Sequence, residues 1–345
     1  MRPCAFAIPG DHRQKTGGYI YERRLLEELQ ASGRDTRHIA LPAAAASPDQ
    51  PDALRAEVAK TLADLPDDRP LILDGLVFGA MRTVDLARLR SPVVAMLHHP
   101  MGLEDGLTAD TARRLLAQET ANLAHATRIV VTSPHTRDTY VRLGAAPDRI
   151  TVALPGYDGP RDLPRTDAGP RILSVGLLAR RKGHDVLIRA LAQLAELDWT
   201  ARIVGKTFDP AVQDDLAALI DTLGLSDRIE LAGELSDAAL DEAYRTARIF
   251  ALATRYEGYG MALAEALTHG LPIVTCATGA VPGTVGDAAL LAPVDDPDAF
   301  ARHLRSLLVS HTERDALSAR SRALGRALPR WRDTASVMGK VLDGL

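Results

Sequence analysis

The chain is poor in cysteine, in aromatic residues and in lysine. Its two cysteines, Cys4 and Cys276, are far apart and each sits among apolar neighbours. That excludes a disulfide framework and a thiolate-ligated metal centre, and both read as buried small side chains. Aromatic residues make up 4% of the chain, and no apolar run approaches the roughly 18 to 20 residues that cross a bilayer. Neither sign of charge prevails: 41 basic against 45 acidic residues leave −4, without the positive surplus that holds nucleic acid by counterion release. Lysine occurs only at positions 15, 60, 182, 206 and 340, so a lysine inside a motif is not background. The opening Met1–Ile8 is cut by Pro9-Gly10, too short for the apolar centre of a signal peptide, and a cytoplasmic protein is expected.

What is present is an alternation of short apolar runs with longer segments of helical period. Over 345 residues this suggests two α/β domains of about 150 residues each. Strands are expected at Cys4–Ile8, Arg37–Leu41, Leu71–Asp74, Val93–Leu97, Arg128–Thr132 and Ile150–Val152, with helices such as Ile20–Ser32 and Asp110–Ala126 between them. A Pro-, Gly- and Asp-rich stretch then loses all period. The expected division is an N-terminal domain over 1–158, a linker over 159–169 and a C-terminal domain over 170–329. The second series has strands at Arg171–Val175, Ala201–Val204, Ile229–Ala232, Ile249–Ala253 and Ile273–Thr275. A helix over about 330–345, set off by Pro329, is expected to pack back onto the first domain. The Ala- and Pro-rich segment Pro42–Pro51 reads as a surface loop.

Chemistry concentrates at strand-to-helix junctions. Glu257-Gly258-Tyr259-Gly260-Met261-Ala262-Leu263-Ala264-Glu265 follows one strand and opens a helix, where glycines and helix N–H groups favour a phosphate. A fully helical path would set Glu257 and Glu265 about 12 Å apart at 1.5 Å per residue. That far exceeds the roughly 5 Å of a double-displacement glycosidase pair, and suits two ends of one long ligand. A second junction, Val175-Gly176 to Arg180-Arg181-Lys182-Gly183-His184, places cations beyond a strand's carboxyl end, a position that suits a diphosphate. Thr16-Gly17-Gly18 follows the first strand but lacks the G-x-G-x-x-G spacing of a dinucleotide fold. His98-His99-Pro100 lies at another strand end, whereas His12, His38, His125, His303 and His311 read as packing or surface residues. Ser133-Pro134 has no nucleophile elbow around it and reads as a helix start. No H-E-x-x-H or comparable metal spacing occurs.

Taken in order, these pieces resemble glycosyltransferase family 4, the retaining nucleotide-sugar enzymes of GT-B fold, over nearly the whole chain. The matching parts are Gly17-Gly18, His98, Val131-Thr132-Ser133, Arg149–Asp158, Val175-Gly176 to Lys182-Gly183, Val204-Gly205, Leu231-Ala232-Gly233, Glu257 to Glu265 and Gly270–Val274. The resemblance implies two Rossmann-like domains with parallel sheets facing across a cleft, the donor on the second and the acceptor on the first. It implies that Lys182, with Arg180 or Arg181, stabilises the leaving diphosphate in place of a metal, and that no cofactor is required. Glu257 would contact hydroxyls of the transferred sugar and Glu265 the ribose. Gly258, Tyr259 and the N–H groups of Gly260, Met261 and Ala262 would line the sugar and phosphate, with Gly17 and Gly18 approaching the diphosphate. Lys206, Leu231 and Gly233 would lie near the base, and His98, grouped with Lys182 and Glu257 as catalytic, near the sugar.

Three departures stand out: Leu177 where the family often has arginine, Gly283 where it often has glutamate, and His98-His99-Pro100 in place of His-Asp or His-Ser. A UDP-, GDP- or ADP-sugar donor is therefore expected, with the hydroxyl acceptor open. Arg13, Lys15, Arg23 and Arg24 are countered by Glu22, Glu27 and Glu28, which favours a soluble acceptor over a membrane surface. Another nucleotide-sugar enzyme of the same architecture, or a non-catalytic binding protein, are the competing readings; the first, if a phosphorylase, lacks a suitable C-terminal lysine.

Overall fold

The computed structural model of the chain describes residues 1–104, 107–159, 169 and 171–345. The chain divides into two compact units, Met1–Asp158 with Pro329–Leu345, and Gly159–Leu328. From 160 to 168 the linker expected at 159–169 lies outside the described residues.

In the first unit, β1 (Cys4–Pro9), β2 (Thr36–Leu41), β3 (Leu71–Asp74), β4 (Val93–Leu97), β5 (Arg128–Val131) and β6 (Ile150–Val152) form a parallel sheet in the order β2-β1-β3-β4-β5-β6. Runs such as Leu71-Ile72-Leu73 and Val93–Leu97 are buried throughout, because crossover helices cover both faces of a parallel sheet. Strand order reverses between β1 and β3. The carboxyl ends of these two strands therefore flank the crevice where open α/β sheets take ligands. The segment Pro42–Pro51 runs along the surface, with Pro42–Ala44, Asp49 and Pro51 exposed, but it is anchored: Ala43–Ala46 forms a 3-10 turn, Ala45 is buried in the core, and buried Gln50 donates to the Ala45 carbonyl at 3.1 Å.

The helix Trp331–Asp343 belongs to this first unit. Its start presses so closely on Gly156 that a Cβ there would come 2.2 Å from the Trp331 nitrogen. Trp331 packs edge-on against Tyr21, ring centres 5.5 Å apart, and Tyr21 donates its hydroxyl to the Ala153 carbonyl at 2.9 Å. At the far end, buried Arg34 grips Asp343 through two parallel bonds of 2.8 and 3.0 Å, the geometry in which a guanidinium matches a carboxylate best.

The second unit repeats the plan with β7 (Arg171–Val175), β8 (Thr200–Val204), β9 (Ile229–Gly233), β10 (Ile249–Leu252), β11 (Ile273–Cys276) and β12 (Ala289–Ala292). They form a parallel sheet in the order β12-β11-β10-β7-β8-β9. The reversal falls between β7 and β10, and the two motif-bearing junctions follow those two strands. The edge strand β12 escapes the sequence reading because three of its four residues are only half-buried and alanine bounds it at both ends. Trp199 anchors the core, donating to the Leu194 carbonyl at 2.8 Å under the Arg228 guanidinium. Both cysteines are buried and free. No described helix is long and apolar enough to cross a membrane.

Candidate functional site

At the switch point of the second sheet, β7 is followed by the turn Gly176–Gly183. Its basic residues Arg180–Lys182 form one 3-10 turn, and Gly183 then reverses the chain at φ +62° into the helix His184–Ala192. A Cβ on Gly183 would lie 1.9 Å from the Ala253 carbonyl oxygen, so only glycine permits this approach. Gly176 makes room for the cation instead, since its bare α-carbon lies beneath the Lys182 stem, whose Cδ would stand 3.2 Å from a Cβ there. His184, fully desolvated, sets Nε2 at 3.2 and 3.3 Å from the Leu177 and Gly176 carbonyls. Two carbonyl acceptors require the Nε2–H tautomer, and burial lowers the imidazole pKa to about 4. The histidine is a neutral clamp on the turn.

After β10, the loop from Thr254 to Gly260 brings Glu257 against that turn. Lys182 Nζ donates to Glu257 Oε1 at 2.6 Å, and Thr254 Oγ1 donates to the same oxygen at 3.1 Å. The two side chains retain only 11% and 8% of their exposure. Burial pushes the Glu257 carboxyl up, but the charges of Lys182 and Arg181 with the bonds from Lys182 and Thr254 outweigh it, and its pKa falls below the ordinary value. Arg255 fastens the loop to the turn: its amide donates to the Arg181 carbonyl at 2.7 Å, and its guanidinium holds Asp185 at 3.0 and 2.8 Å and Asp295 at 2.7 Å.

Gly260, at φ +92°, caps the helix Met261–Thr268. The first-turn N–H groups at Gly260, Met261 and Ala262 thus point out at the positive end of the helix dipole. Glu257 and Glu265 do not share a helix, which begins only at Met261, so the helical separation expected between them does not hold. Glu265 is half-buried and accepts the Tyr244 hydroxyl at 2.9 Å. Burial raises its pKa against the opposing effects of Tyr244 and His269. Tyr259 is buried, and its carbonyl accepts from Thr284 at 2.6 Å. Gly258 lies in the same loop.

The cations divide. Arg181 acts on Glu257 electrostatically, whereas exposed Arg180 faces Asp215 at 3.5 Å on the outer surface. Leu177, in the place of the family arginine, is half-buried, and a side chain at Gly283 would meet open space. Lys206 is exposed on the loop after β8, while Leu231 packs its side chain on the core and Gly233 turns at φ +65°.

In the first unit, Gly17-Gly18 open the helix Gly17–Ala31. A Cβ at Gly18 would stand in ordinary contact with the His98 ring, 3.7 Å from Cδ2 and Nε2. Behind His98 stand two acids that sequence reasoning missed. Glu22, expected among surface countercharges, is 1% exposed, and Asp74, at the carboxyl end of β3, is 4% exposed. The period of the helix carried a signal for Glu22, which falls on the buried face with Tyr21, Leu25 and Leu29. Thr254 and Tyr244, partners of Glu257 and Glu265, had no signal. The loop after His98 is firmly built: His99 pairs with Glu104, and Glu119 accepts from the Met101 amide at 2.9 Å and the Tyr140 hydroxyl at 2.6 Å. Ser133 caps the helix Pro134–Arg142 by accepting from the Thr136 amide at 3.0 Å. Among the described residues no group of three or more His, Cys, Asp or Glu gathers as metal ligands.

Residues 13–156 match the family described as glycosyl transferase 4-like domain, and residues 160–324 match glycosyl transferases group 1. D-inositol 3-phosphate glycosyltransferase 1 of Catenulispora acidiphila is 31% identical over 264 residues, 68% of this chain and 62% of that protein. Mannosylfructose-phosphate synthase of Agrobacterium fabrum is 32% identical over 171 residues, 44% of this chain and 38% of its own. The chain thus spans less than two thirds of the length of these relatives. Among solved structures, sucrose-phosphate synthase of Thermosynechococcus elongatus superposes with a TM-score of 0.80 at 22% identity, covering 100% of this chain and 99% of that one. Anabaena HepE in complex with UDP and glucose gives 0.77 at 16% identity, with full coverage of both chains.

Proposed function

The chain belongs to the family 4 type of glycosyltransferases of GT-B fold, and on that premise we propose that it transfers a hexosyl-type sugar from a nucleoside diphosphate sugar to an acceptor hydroxyl, with retention and without a metal. The observation that carries this reading is the buried Lys182–Glu257 pair beside the N-terminus of the helix Met261–Thr268. A cation, an adjacent acid and a row of helix N–H groups at a switch point suit a diphosphate joined to a polyol.

In this proposal the donor diphosphate lies against the N–H groups of Gly260, Met261 and Ala262 and on Lys182. Its ammonium has three donors, so a phosphate oxygen can join Glu257 on it. Arg181, rather than Arg180, supplies the second charge in place of the arginine absent at Leu177. Glu257 accepts from hydroxyls of the sugar, and Glu265, held by Tyr244, from the ribose. Gly258 and Tyr259 shape the loop around the sugar, while the backbone near Lys206, Leu231 and Gly233 meets the base. On the first unit Gly17, Gly18 and His98 serve the diphosphate and the sugar. The anomeric carbon–phosphate oxygen bond breaks and a bond to the acceptor oxygen forms on the same face. The acceptor proton passes to the departing phosphate oxygen, and the preorganised cations stabilise the charge that develops there.

UDP, GDP and ADP conjugates remain the donor set, with UDP-hexoses first because a neighbour of the same fold holds UDP and glucose. The test is incubation with each hexose conjugate and measurement of released nucleoside diphosphate. Release from one conjugate, lost in Lys182→Ala and Glu257→Ala, is the expected result. No release from any conjugate, with or without a panel of hydroxyl acceptors, would leave a binding protein of the same fold.

A further inference from the structure

The helix Met261–Thr268 is as closely built at its carboxyl end as at its amino end. His269 follows it directly, and each ring nitrogen meets an acceptor. Nδ1 lies 2.9 Å from the Glu265 carbonyl, and Nε2 lies 3.1 Å from Oδ1 of Asp241, on the helix Asp237–Thr246. A carbonyl and an ionised carboxylate only accept, so a ring bonded to both carries a proton on each nitrogen and a positive charge. The place suits a cation, since the helix ends there on the negative pole of its dipole. The Glu265 carbonyl also accepts the His269 amide at 3.1 Å and the Thr268 hydroxyl at 2.7 Å. Thr268 Oγ1, its proton so engaged, stands 3.4 Å from Nδ1. The tied ring retains 13% of its exposure and lies flat on Tyr244, centres 4.8 Å apart and planes 17° from parallel, within the range of a cation on a π face. Tyr244 is buried and stacked on Phe250 as well, centres 5.9 Å apart. Its hydroxyl, so held, lies 2.9 Å from Glu265 Oε2 and 3.3 Å from the Ala262 carbonyl.

We propose that His269, clamped as a cation between Asp241 and the Glu265 carbonyl, is a positioning residue that sets the Glu265 carboxylate, through the ring and hydroxyl of Tyr244, to accept from the ribose hydroxyls of the donor. The inference rests on the proposed donor site for what Glu265 binds, and on the hydrogen bonds alone for the clamp. The charge also acts on Glu265 directly. Burial raises the Glu265 carboxyl pKa, the Tyr244 bond and the charge of His269 lower it, and Asp237 raises it again. An ionised carboxylate offers acceptors only, which is what two hydroxyl protons require. Arg322, from the helix His311–Ala327, lies over the neighbouring Gly270 and donates to Ser318 at 2.8 Å, so its guanidinium is engaged beside the clamp and not in it.

The experiment uses the full chain. Nitrogen NMR of the histidine-labelled protein at neutral pH should show both nitrogens of His269 protonated, the signal being assigned by its loss in His269→Phe. Titration with UDP, GDP and ADP identifies the diphosphate that binds, and its 2′,3′-dideoxy counterpart then reports what the ribose hydroxyls contribute. His269→Phe keeps a ring on Tyr244 but neither the bonds nor the charge. It should bind the diphosphate about tenfold more weakly and the dideoxy compound within about twofold of the wild type. His269→Arg, a planar cation able to lie on Tyr244 and donate to Asp241, should restore most of the difference. Asp241→Leu should reproduce His269→Phe, and the two changes together should be no worse than either alone, as expected of one chain of contacts. A residue that merely supports the fold would weaken both compounds alike, so equal losses overturn the proposal. An unchanged affinity in His269→Phe, or a wild-type His269 with one nitrogen bare, overturns it too. If none of the three diphosphates binds the wild type, the donor reading fails and the ribose role with it, and the two protons of His269 decide the clamp by themselves.

Discussion

Removing Lys182 should strand the buried Glu257 carboxylate. In Lys182→Met the Glu257 carboxylate, on a side chain 8% exposed, loses the cation at 2.6 Å and keeps Thr254 and the more distant Arg181. Stripping one partner from a buried pair costs about 3–5 kcal/mol, and the surviving partners place this case near the lower end. For a unit the size of Gly159–Leu328, each kcal/mol lowers the melting temperature by about 2–4 °C, so a fall of roughly 6–12 °C is expected. The pH dependence fixes the cause. In the wild type the Glu257 pKa is lowered, so its contribution is present above the ordinary carboxylate value and disappears as pH falls through the lowered one. In the variant burial acts without Lys182 and raises the pKa, so the deficit should shrink as the medium is acidified and the carboxyl takes a proton. Lys182→Met/Glu257→Gln should recover about 2 kcal/mol of the loss, because it leaves no buried charge unpaired. The assay is calorimetry of the single and double variants across the acid and neutral range. A single variant melting with the wild type, or a double variant no better than the single, would exclude a stranded charge as the cause.

Gly183→Ala should prevent the second unit from folding, since its Cβ would fall 1.9 Å from the Ala253 carbonyl; loss of the buried Trp199 fluorescence signature checks this. Tyr244→Phe should cost about 1 kcal/mol in stability by removing the bond to Glu265, and should weaken nucleoside diphosphate binding, read by titration, more than it slows turnover. Because the Glu22 carboxyl titrates near 8 when folded, the folded state holds its proton where the unfolded chain has lost it. Stability therefore declines from about pH 4.5 toward 8, and Glu22→Gln should be stabilising relative to the wild type at the alkaline end and not at the acid end. Arg34→Met should release the helix Trp331–Asp343, seen as amide exchange at least about tenfold faster in that segment while the sheet stays protected.

Parallel strands buried on both faces read clearly in the sequence, since nothing but an apolar run can fill that environment. Leu71–Asp74, Val93–Leu97 and Arg171–Val175, each interior to its sheet, carry the same bounds in sequence and structure. The edge strand Ala289–Ala292 did not stand out: half-buried and bounded by alanines, it lacks the β-branched residues that mark the other half-buried edge strand, Ile150–Val152. Site residues were legible where backbone geometry demands glycine, as at Gly183 and Gly260, and where a scarce residue type marks a turn, as at Lys182. Partners supplied from distant elements were not. Thr254, Tyr244 and Asp74 acquire their roles only when strand order brings them beside Glu257, Glu265 and Glu22. Charge misled at Glu22: a glutamate among arginines reads as a surface residue, and only the helix phase shows that it points inward.

If the Lys182–Glu257 pair and the helix start at Met261 hold a nucleoside diphosphate sugar, binding must depend on both side chains. Calorimetric titration of the wild type, Lys182→Ala and Glu257→Ala with UDP-glucose, and then with the GDP and ADP hexoses, measures that dependence. One conjugate should bind the wild type saturably, stabilising it by about 2.7 kcal/mol at a hundred times its dissociation constant, and both variants should bind it at least about tenfold more weakly, a difference of roughly 1.4 kcal/mol. Equal affinity in all three proteins, or no heat with any conjugate, would contradict a donor site built on this pair.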